Sequence, residues 1–349
     1  MTRGVTLGRR SGGRSKARPA EPGGAPAVAF RDGVQLAGSV VWCDATRARD
    51  LNFVSHAHLG ARGAHHKVLA TGRTMALIGA AGGAPVGEVL TTPFGRPFSL
   101  GPLRLELFPS GHVPGAASLL LVEPSGRRIA YAGDVNPVAS LGESAEVRGA
   151  DVLVLEAPLA PVAGRLPPRA ETLAALVELV KRALADGRQP VVLAPALGTS
   201  EEAMVALAQA GVPLRVHPRV HAFAATLAAA GIAVPAAARF SSRMGRGEVL
   251  IGPPDGLGAA RIARLERPLT IALTGLALGA GAAADLGVDH ALPLADHADL
   301  DALVTYVRHS EAREVWLTAG HCPALVAALA ALDVTARPLG PPRQMELLA

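Results

Sequence analysis

The residues of this chain best equipped for chemistry are histidines and aspartates that follow short apolar runs. Phe53-Val-Ser-His-Ala-His-Leu-Gly-Ala61 sets His56 and His58 one residue apart, and Gly111-His112, Gly133-Asp134 and Asp296-His297 come later. Imidazole and carboxylate are the ligands zinc takes in a tetrahedral shell, and a catalytic site leaves one position open for water. Side chains alternate along an extended backbone, so His56 and His58 can point the same way. His112 and Asp134 each follow a glycine, which lets the backbone turn sharply and aim a ligand inward. The chemistry this set supports is hydrolysis. A two-metal centre would need two more ligands just after His58, where Gly60 and Ala61 stand.

Strand-like segments precede each candidate ligand. Leu51-Asn-Phe-Val54 leads to His56, Leu103-Arg-Leu-Glu-Leu-Phe108 to His112, and Arg128-Ile-Ala-Tyr131 to Asp134. Ligands delivered in turn at strand ends suit a site on the rim of a sheet, where strands fix geometry and loops carry chemistry. Val28-Ala-Phe30, Val34-Gln-Leu36 and Ser39-Val-Val-Trp-Cys43 read as earlier strands running into Asp44.

From about residue 150 the texture changes to strand and helix in alternation. Val152-Leu-Val-Leu155 is an apolar strand, and Leu173, Leu176, Val177, Val180 and Leu184 recur at helical spacing before Gly187. Pro190-Val-Val-Leu-Ala194 predicts a strand, and Thr199-Ser-Glu-Glu202 predicts a capping box opening a helix to about Gln209. Leu214 to His217, a helix near Val220 to Ala230, and Val249 to Ile251 continue the alternation. Such alternation predicts a parallel sheet with helices on its faces. Beyond it lie a strand near Thr270 to Leu273 and a helix from about Leu300 to Val307. Strand Glu314-Val-Trp-Leu317 and a helix from about Pro323 to Leu332 follow.

Half of the residues are apolar, enough for a large core in one big or two moderate domains. Gly and Thr break the longest apolar runs well short of the ~20 residues a membrane span needs. The Arg- and Gly-rich start lacks the apolar core of a secretory signal, so the expected location is cytoplasmic. Cys43 and Cys322 have no paired spacing, which argues against a disulfide scaffold or a cysteine zinc site. The net charge of +5 equals the excess of Arg3, Arg9, Arg10, Arg14, Lys16 and Arg18 over Glu21 in residues 1–25, leaving a formally neutral body. That Gly/Ser/Pro-rich segment lacks the apolar residues needed to fold and predicts a disordered basic tail.

The ordered series is worth more than its parts, since a lone histidine is most often a hydrogen-bonded surface or partly buried residue. Asp44, Ser55-His-Ala-His58, Pro109-Ser-Gly-His-Val-Pro-Gly-Ala116, Tyr131-Ala-Gly-Asp134, Leu155-Glu156, Pro293-Leu-Ala-Asp-His-Ala-Asp299 and Leu317-Thr-Ala-Gly320 occur in one order. Over about residues 30–340 that order resembles the metallo-β-lactamase superfamily. More specifically it is similar to the nuclease branch with an inserted β-CASP domain, and within it to bacterial DNA-ligase-associated exonucleases. The resemblance implies an α/β fold of αββα type. Its sandwich would be built from 26–157 and 276–349, with a β-CASP-like α/β insertion at 158–275.

By the same resemblance His56, His58, His112 and Asp134 would hold one metal ion, zinc or alternatively manganese, with Asp134 bridging toward a second. His297 falls on the family's downstream active-site histidine and Glu156 on its acidic position after a strand. Asp44 matches an early aspartate that orients ligands from behind. The family's Asp-His after the first pair corresponds to Gly60 and Ala61, and its Thr-His-Gly near the C-terminus to Thr318-Ala319-Gly320. All three changed positions would serve the second metal. His65, His66 and His321 lie near them in sequence, and His65-His66 reads as the polar start of the next segment. The segment ahead of His297, Arg-rich in the family, is Gly279-Ala-Gly-Ala-Ala-Ala-Asp285, and Ala157-Pro158 replaces Ser-Thr.

Three readings follow. The first is a metal-dependent hydrolase, an exonuclease or phosphodiesterase of nucleic acid acting in DNA repair through one remaining metal. The second is a pseudoenzyme, catalytically silent, that binds a DNA ligase or helicase partner. The third treats the histidines as ordinary surface residues, and the ordered motifs argue against it.

Overall fold

Alternating apolar side chains build the sheets that carry the candidate ligands. The computed structural model describes residues 27–340 apart from 37, 61–62, 86, 139–140, 161–163, 280 and 319–321. The tail at 1–25 lies outside the described residues, as do Ala61, Ala319, Gly320 and His321.

The first sheet runs in chain order through β1 (Val28–Phe30), β2 (Val34–Leu36), β3 (Val41–Cys43), β4 (Leu51–Phe53), β5 (Lys67–Ala70) and β6 (Glu88–Thr91). Helix α1 (Gly72–Ala80) follows β5 and is capped by the Thr71 hydroxyl, which accepts from the Thr74 amide. The second sheet begins with β7 (Phe98–Leu100), β8 (Leu103–Pro109), β9 (Ala117–Val122), β10 (Arg128–Gly133) and β11 (Val152–Glu156).

The third sheet comprises β12 (Gln189–Leu193), β13 (Leu214–Val216), β14 (Ala238–Arg239), β15 (Val249–Gly252), β16 (Pro268–Leu273) and β17 (His290–Leu292). Its pairings are parallel throughout, in the order β14-β13-β15-β12-β16-β17. The crossovers are α2 (Arg169–Ala185), α3 (Thr199–Gln209), α4 (Pro218–Ala229) and the short α5 (Pro254–Leu257) and α6 (Ala259–Ile262); α7 (Ala282–Asp285) precedes β17. The chain then returns to the second sheet through α8 (Leu300–Ser310), β18 (Glu314–Thr318), α9 (Pro323–Ala330) and β19 (Thr335–Pro338), giving the order β19-β18-β11-β10-β9-β8-β7.

The period of two along β10 and β11 assigns each face its partner. Ile129, Tyr131, Val152 and Val154 join Phe53, Leu69 and Leu107 in a core shared by the first two sheets. Ala130, Ala132, Leu153 and Leu155 face the other way, onto Leu303, Tyr306, Val307, Leu325 and Leu329 of α8 and α9. With both faces covered, these strands are continuously apolar. A further core runs from Val68 and Leu77 through Leu176, Leu207, Val220 and Ile251, so α1 and the third sheet's helices share one interior. The protein is thus α/β, and among the described residues no helix is long and apolar enough to cross a membrane.

One expectation needs correction. The box opening α3 is shifted by one residue, because Gly198 is the N-cap, at φ +92°, and Glu201 reaches back to accept from the Gly198 amide at 2.6 Å. Of the polar pair His65-His66, His66 is exposed, and His65 is buried and lines a small cavity of about 10 Å³ with Val54, Gly60, Gly63, Met75 and Ile78. Cys43 and Cys322 are buried free thiols, and the Cys322 sulfur caps α9 by accepting from the Leu325 amide.

Candidate metal centre

Each candidate side chain leaves a strand end. His56 and His58 follow β4, His112 follows β8, Asp134 follows β10, Glu156 ends β11, and Asp296 and His297 follow β17. The first three histidines converge, with ring centroids 4.6 to 5.3 Å apart. Their ring nitrogens lie within 4.8 Å of one another, and so do the ligand atoms of His112, Asp134 and His297. Asp134 stands between two histidines, with Oδ2 3.8 Å from His56 Nε2 and Oδ1 3.6 Å from His297 Nε2.

Hydrogen bonds fix the protons on two rings. His58 Nε2 lies 3.1 Å from the Leu197 carbonyl and His112 Nδ1 lies 3.0 Å from the Asp296 carbonyl, and a carbonyl can only accept. Both nitrogens therefore donate. The remaining nitrogens, His58 Nδ1 and His112 Nε2, then carry lone pairs and face one another at 3.1 Å. Two lone pairs at that distance repel unless a proton or cation lies between them. Asp134 Oδ1 is buried and accepts no hydrogen bond, with only the ion-pair contact to His297 at 3.6 Å. Neutral imidazoles and a carboxylate are a donor set that suits zinc or manganese.

Burial holds His56 well below the ordinary histidine range and brings His112 down to about 4, with the charge of His297 adding to the effect on each. Burial opposes the charge of His297 as well, but the Asp134 and Asp296 carboxylates outweigh it and raise this ring to about 9. Its Nδ1 contacts Asp296 Oδ1 at 2.9 Å. Asp296 is held far below the carboxylate range: burial opposes this, and the His297 charge and hydrogen bond overcome it.

Asp44 and Glu156 stand behind the ligands. Asp44 Oδ1 accepts from the Ser55 amide at 2.8 Å, beside His56, whose Nδ1 meets the Ser55 hydroxyl at 2.8 Å. The Tyr131 hydroxyl donates to Asp44 Oδ2 at 2.8 Å and faces Glu156 Oε1 at 3.2 Å. Burial raises Asp44 to about 6 against the lowering effect of those hydrogen bonds. Glu156 therefore meets Asp44 through Tyr131.

The sequence assigns no role to Tyr131, Ser55 or Leu197, and names Asp296 only as the neighbour of His297. Tyr131, Ser55 and Asp296 sit inside the motifs noted, so their signal is present there. Leu197 contributes only a carbonyl, which no side-chain pattern can announce. Gly60 ends the turn after His58 at φ +63°, with open space where a Cβ would stand.

No family model matches the sequence. A protein of Opitutus terrae named a probable DNA ligase is 30% identical over 325 residues, which are 92% of this chain and 32% of that protein. The chain thus spans about a third of the length of this relative. A protein of unknown function from Enterococcus faecalis V583, known from a crystal structure, superposes with a TM-score of 0.59 at 15% identity. The superposition covers 86% of this chain and 81% of that one, a likeness of fold.

Proposed function

We propose that the chain is a metal-dependent hydrolase of nuclease ancestry that cuts phosphodiesters of DNA or RNA. On this reading it has a metallo-β-lactamase sandwich at 26–157 and 276–349 and a β-CASP-like insertion at 158–275. The observation that carries it is the convergence of the His56, His58 and His112 rings, with His58 Nδ1 and His112 Nε2 3.1 Å apart, beside the Asp134 carboxylate.

His56, His58, His112 and Asp134 would hold one ion, zinc or manganese, which when bound lowers the pKa of a water and polarises a phosphoryl oxygen. The chain's own residues supply the rest. His297 would hold a proton on Nε2 for the leaving oxygen, and Asp296 fixes the ring through Nδ1. Asp44 steadies the Ser55–His56 turn, and Tyr131 ties Asp44 to Glu156. The relative's name, a probable DNA ligase, supports a DNA-related role; a place in DNA repair beside a ligase or helicase is part of this reading.

Gly60 favours a second reading, since it offers no ligand for another ion: a silent homologue that serves a ligase assembly as a binding partner. One experiment separates the two. Metal per chain is measured by elemental mass spectrometry on protein purified without added metal, and cleavage of labelled DNA and RNA is compared with that of His58→Ala. Near one equivalent, with cleavage lost in the variant, supports the hydrolase. Metal-free, inactive protein supports the silent partner.

A further inference from the structure

Of the three converging histidines, His58 is the least enclosed. His56 and His112 are buried, whereas His58 is exposed on the short turn Ala57–Leu59. An exposed side chain keeps its rotamers unless a contact removes them, and ordering it costs conformational entropy. For the Nε2 side of His58 that contact is the Leu197 carbonyl at 3.1 Å. Whatever holds this carbonyl therefore holds the ring.

The carbonyl belongs to the peptide group that joins Leu197 to Gly198. In a trans peptide the C=O and N–H point opposite ways in one plane, and the described residues contain no cis peptide. One end of this plane meets His58, and at the other the Gly198 N–H donates to Glu201 Oε2 at 2.6 Å. His58, a single peptide plane and Glu201 thus form one line of hydrogen bonds, from the turn after β4 to the start of α3. The plane cannot rotate without breaking both contacts.

A glutamate three residues after an N-cap is an ordinary helix-start feature, and as a cap it needs no burial. Glu201 is nevertheless fully buried. Its neighbours are secured by other means: Ser200 Oγ donates to the Pro195 carbonyl at 2.6 Å, and Arg169 Nε donates to Glu202 Oε2 at 2.9 Å. Glu201 Oε1 has no hydrogen-bond partner among the described residues, and Asp296 Oδ2, also without one, would stand 3.0 Å from a Gly198 Cβ. A buried carboxyl with one oxygen unsatisfied is costly to keep for capping alone. Burial above all, with the charges of Glu202 and Asp296, pushes Glu201 well above the carboxylate range, and the bond to Gly198 opposes this. The protonated acid still presents an acceptor oxygen, so the bond to the Gly198 amide does not depend on charge.

We propose that Glu201 is a positioning residue of the histidine centre: through the Leu197–Gly198 peptide it holds the His58 ring with Nε2 bonded outward and Nδ1 turned inward as a ligand. The consequence for metal binding rests on the metal-dependent reading above; the hold on the ring does not.

The test uses the full chain with isotope-labelled histidine. In metal-free protein, NMR follows the His58 Nε2–H proton, which exchanges rapidly with water unless it is bonded to the Leu197 carbonyl. Zinc alone, titrated against a competing chelator, reports affinity. Native protein is compared with Glu201→Gln, which keeps the acceptor, with Glu201→Leu, which removes it, and with Glu201→Asp, which draws it back by one methylene. The leucine variant is expected to lose the ring proton to exchange and to bind zinc about tenfold more weakly, as when residues that orient metal ligands are removed. Glu201→Gln should keep the ring proton and stay within about twofold of native affinity, with the aspartate variant between the two.

Native affinity and a visible ring proton in Glu201→Leu would overturn the inference, as would equal losses in Glu201→Gln and Glu201→Leu. Should the leucine variant fail to fold, the aspartate variant decides by the same two measurements. Cleavage of labelled DNA by the same samples reports separately on the hydrolase. A ring proton that depends on Glu201 in protein without cleavage keeps the inference and sinks the hydrolase, and cleavage indifferent to Glu201→Leu does the reverse.

Discussion

Asp296 holds His297 by its side chain, Oδ1 to Nδ1 at 2.9 Å, and with its own carbonyl fixes the proton on His112 at 3.0 Å. One residue thereby sets the orientation of the ring facing Asp134 and of a ring in the histidine triad. Replacing it with Asn keeps the carbonyl and removes the charge.

Asp296→Asn is therefore expected to retain its metal while the His297 resonance, followed by NMR in metal-free protein, titrates well below about 9. Loss of a charge-assisted hydrogen bond should cost roughly 2 kcal/mol of stability. An unshifted His297 titration would show that Asp134 alone sets this ring.

The raised His297 also predicts a pH dependence in metal-free protein. Its folded value of about 9 lies above the ordinary 6.5, so the fold binds that proton more tightly than the unfolded chain does. The stabilisation is complete below the unfolded value and is lost as pH rises through the folded one. Denaturant unfolding of native and His297→Gln protein should differ most at or below pH ~6.5, by at most roughly 3 kcal/mol, and converge above pH ~9. A gap that widens with rising pH would contradict the assignment.

Gly198 offers a test of the third sheet's part in the centre. At φ +92°, a Cβ there would stand 2.9 Å from Val113 Cγ1 and 3.0 Å from Asp296 Oδ2. Gly198→Ala should cost roughly 2–4 kcal/mol from backbone strain and crowding. Because the neighbouring Leu197 carbonyl orients His58, metal content should fall with it, as elemental analysis of the folded variant would show. A stable variant with full metal would mean that the loop can shift without disturbing His58.

Much of the frame was legible in the sequence, for a physical reason. Runs such as Val152 to Leu155 and the helical repeat from Leu173 to Leu184 follow one period strongly, and β11 and α2 lie where they predict. β9 (Ala117–Val122) and β5 (Lys67–Ala70) are buried on both faces, and so short an apolar run lacks the alternation that marks a strand. β14, two exposed residues long, has no pattern to read. In the centre, the histidines and Asp134 could be read because each follows a strand and a turn. The contribution of Leu197 could not, since it depends on a contact 139 residues away from His58.

The interior shared by α1 and the helices of the third sheet bears on how the centre comes into being. Val68 and Leu77 belong to the early chain and Leu207, Val220 and Ile251 to the later one, so neither part can close its apolar surface alone. The carbonyls that choose the tautomers of His58 and His112 are delivered by the later part. A chain emerging during synthesis would carry His56, His58 and His112 long before those rings are locked. The alignment of those rings is thus a late event in maturation, set only once the later part of the chain has folded against the earlier one.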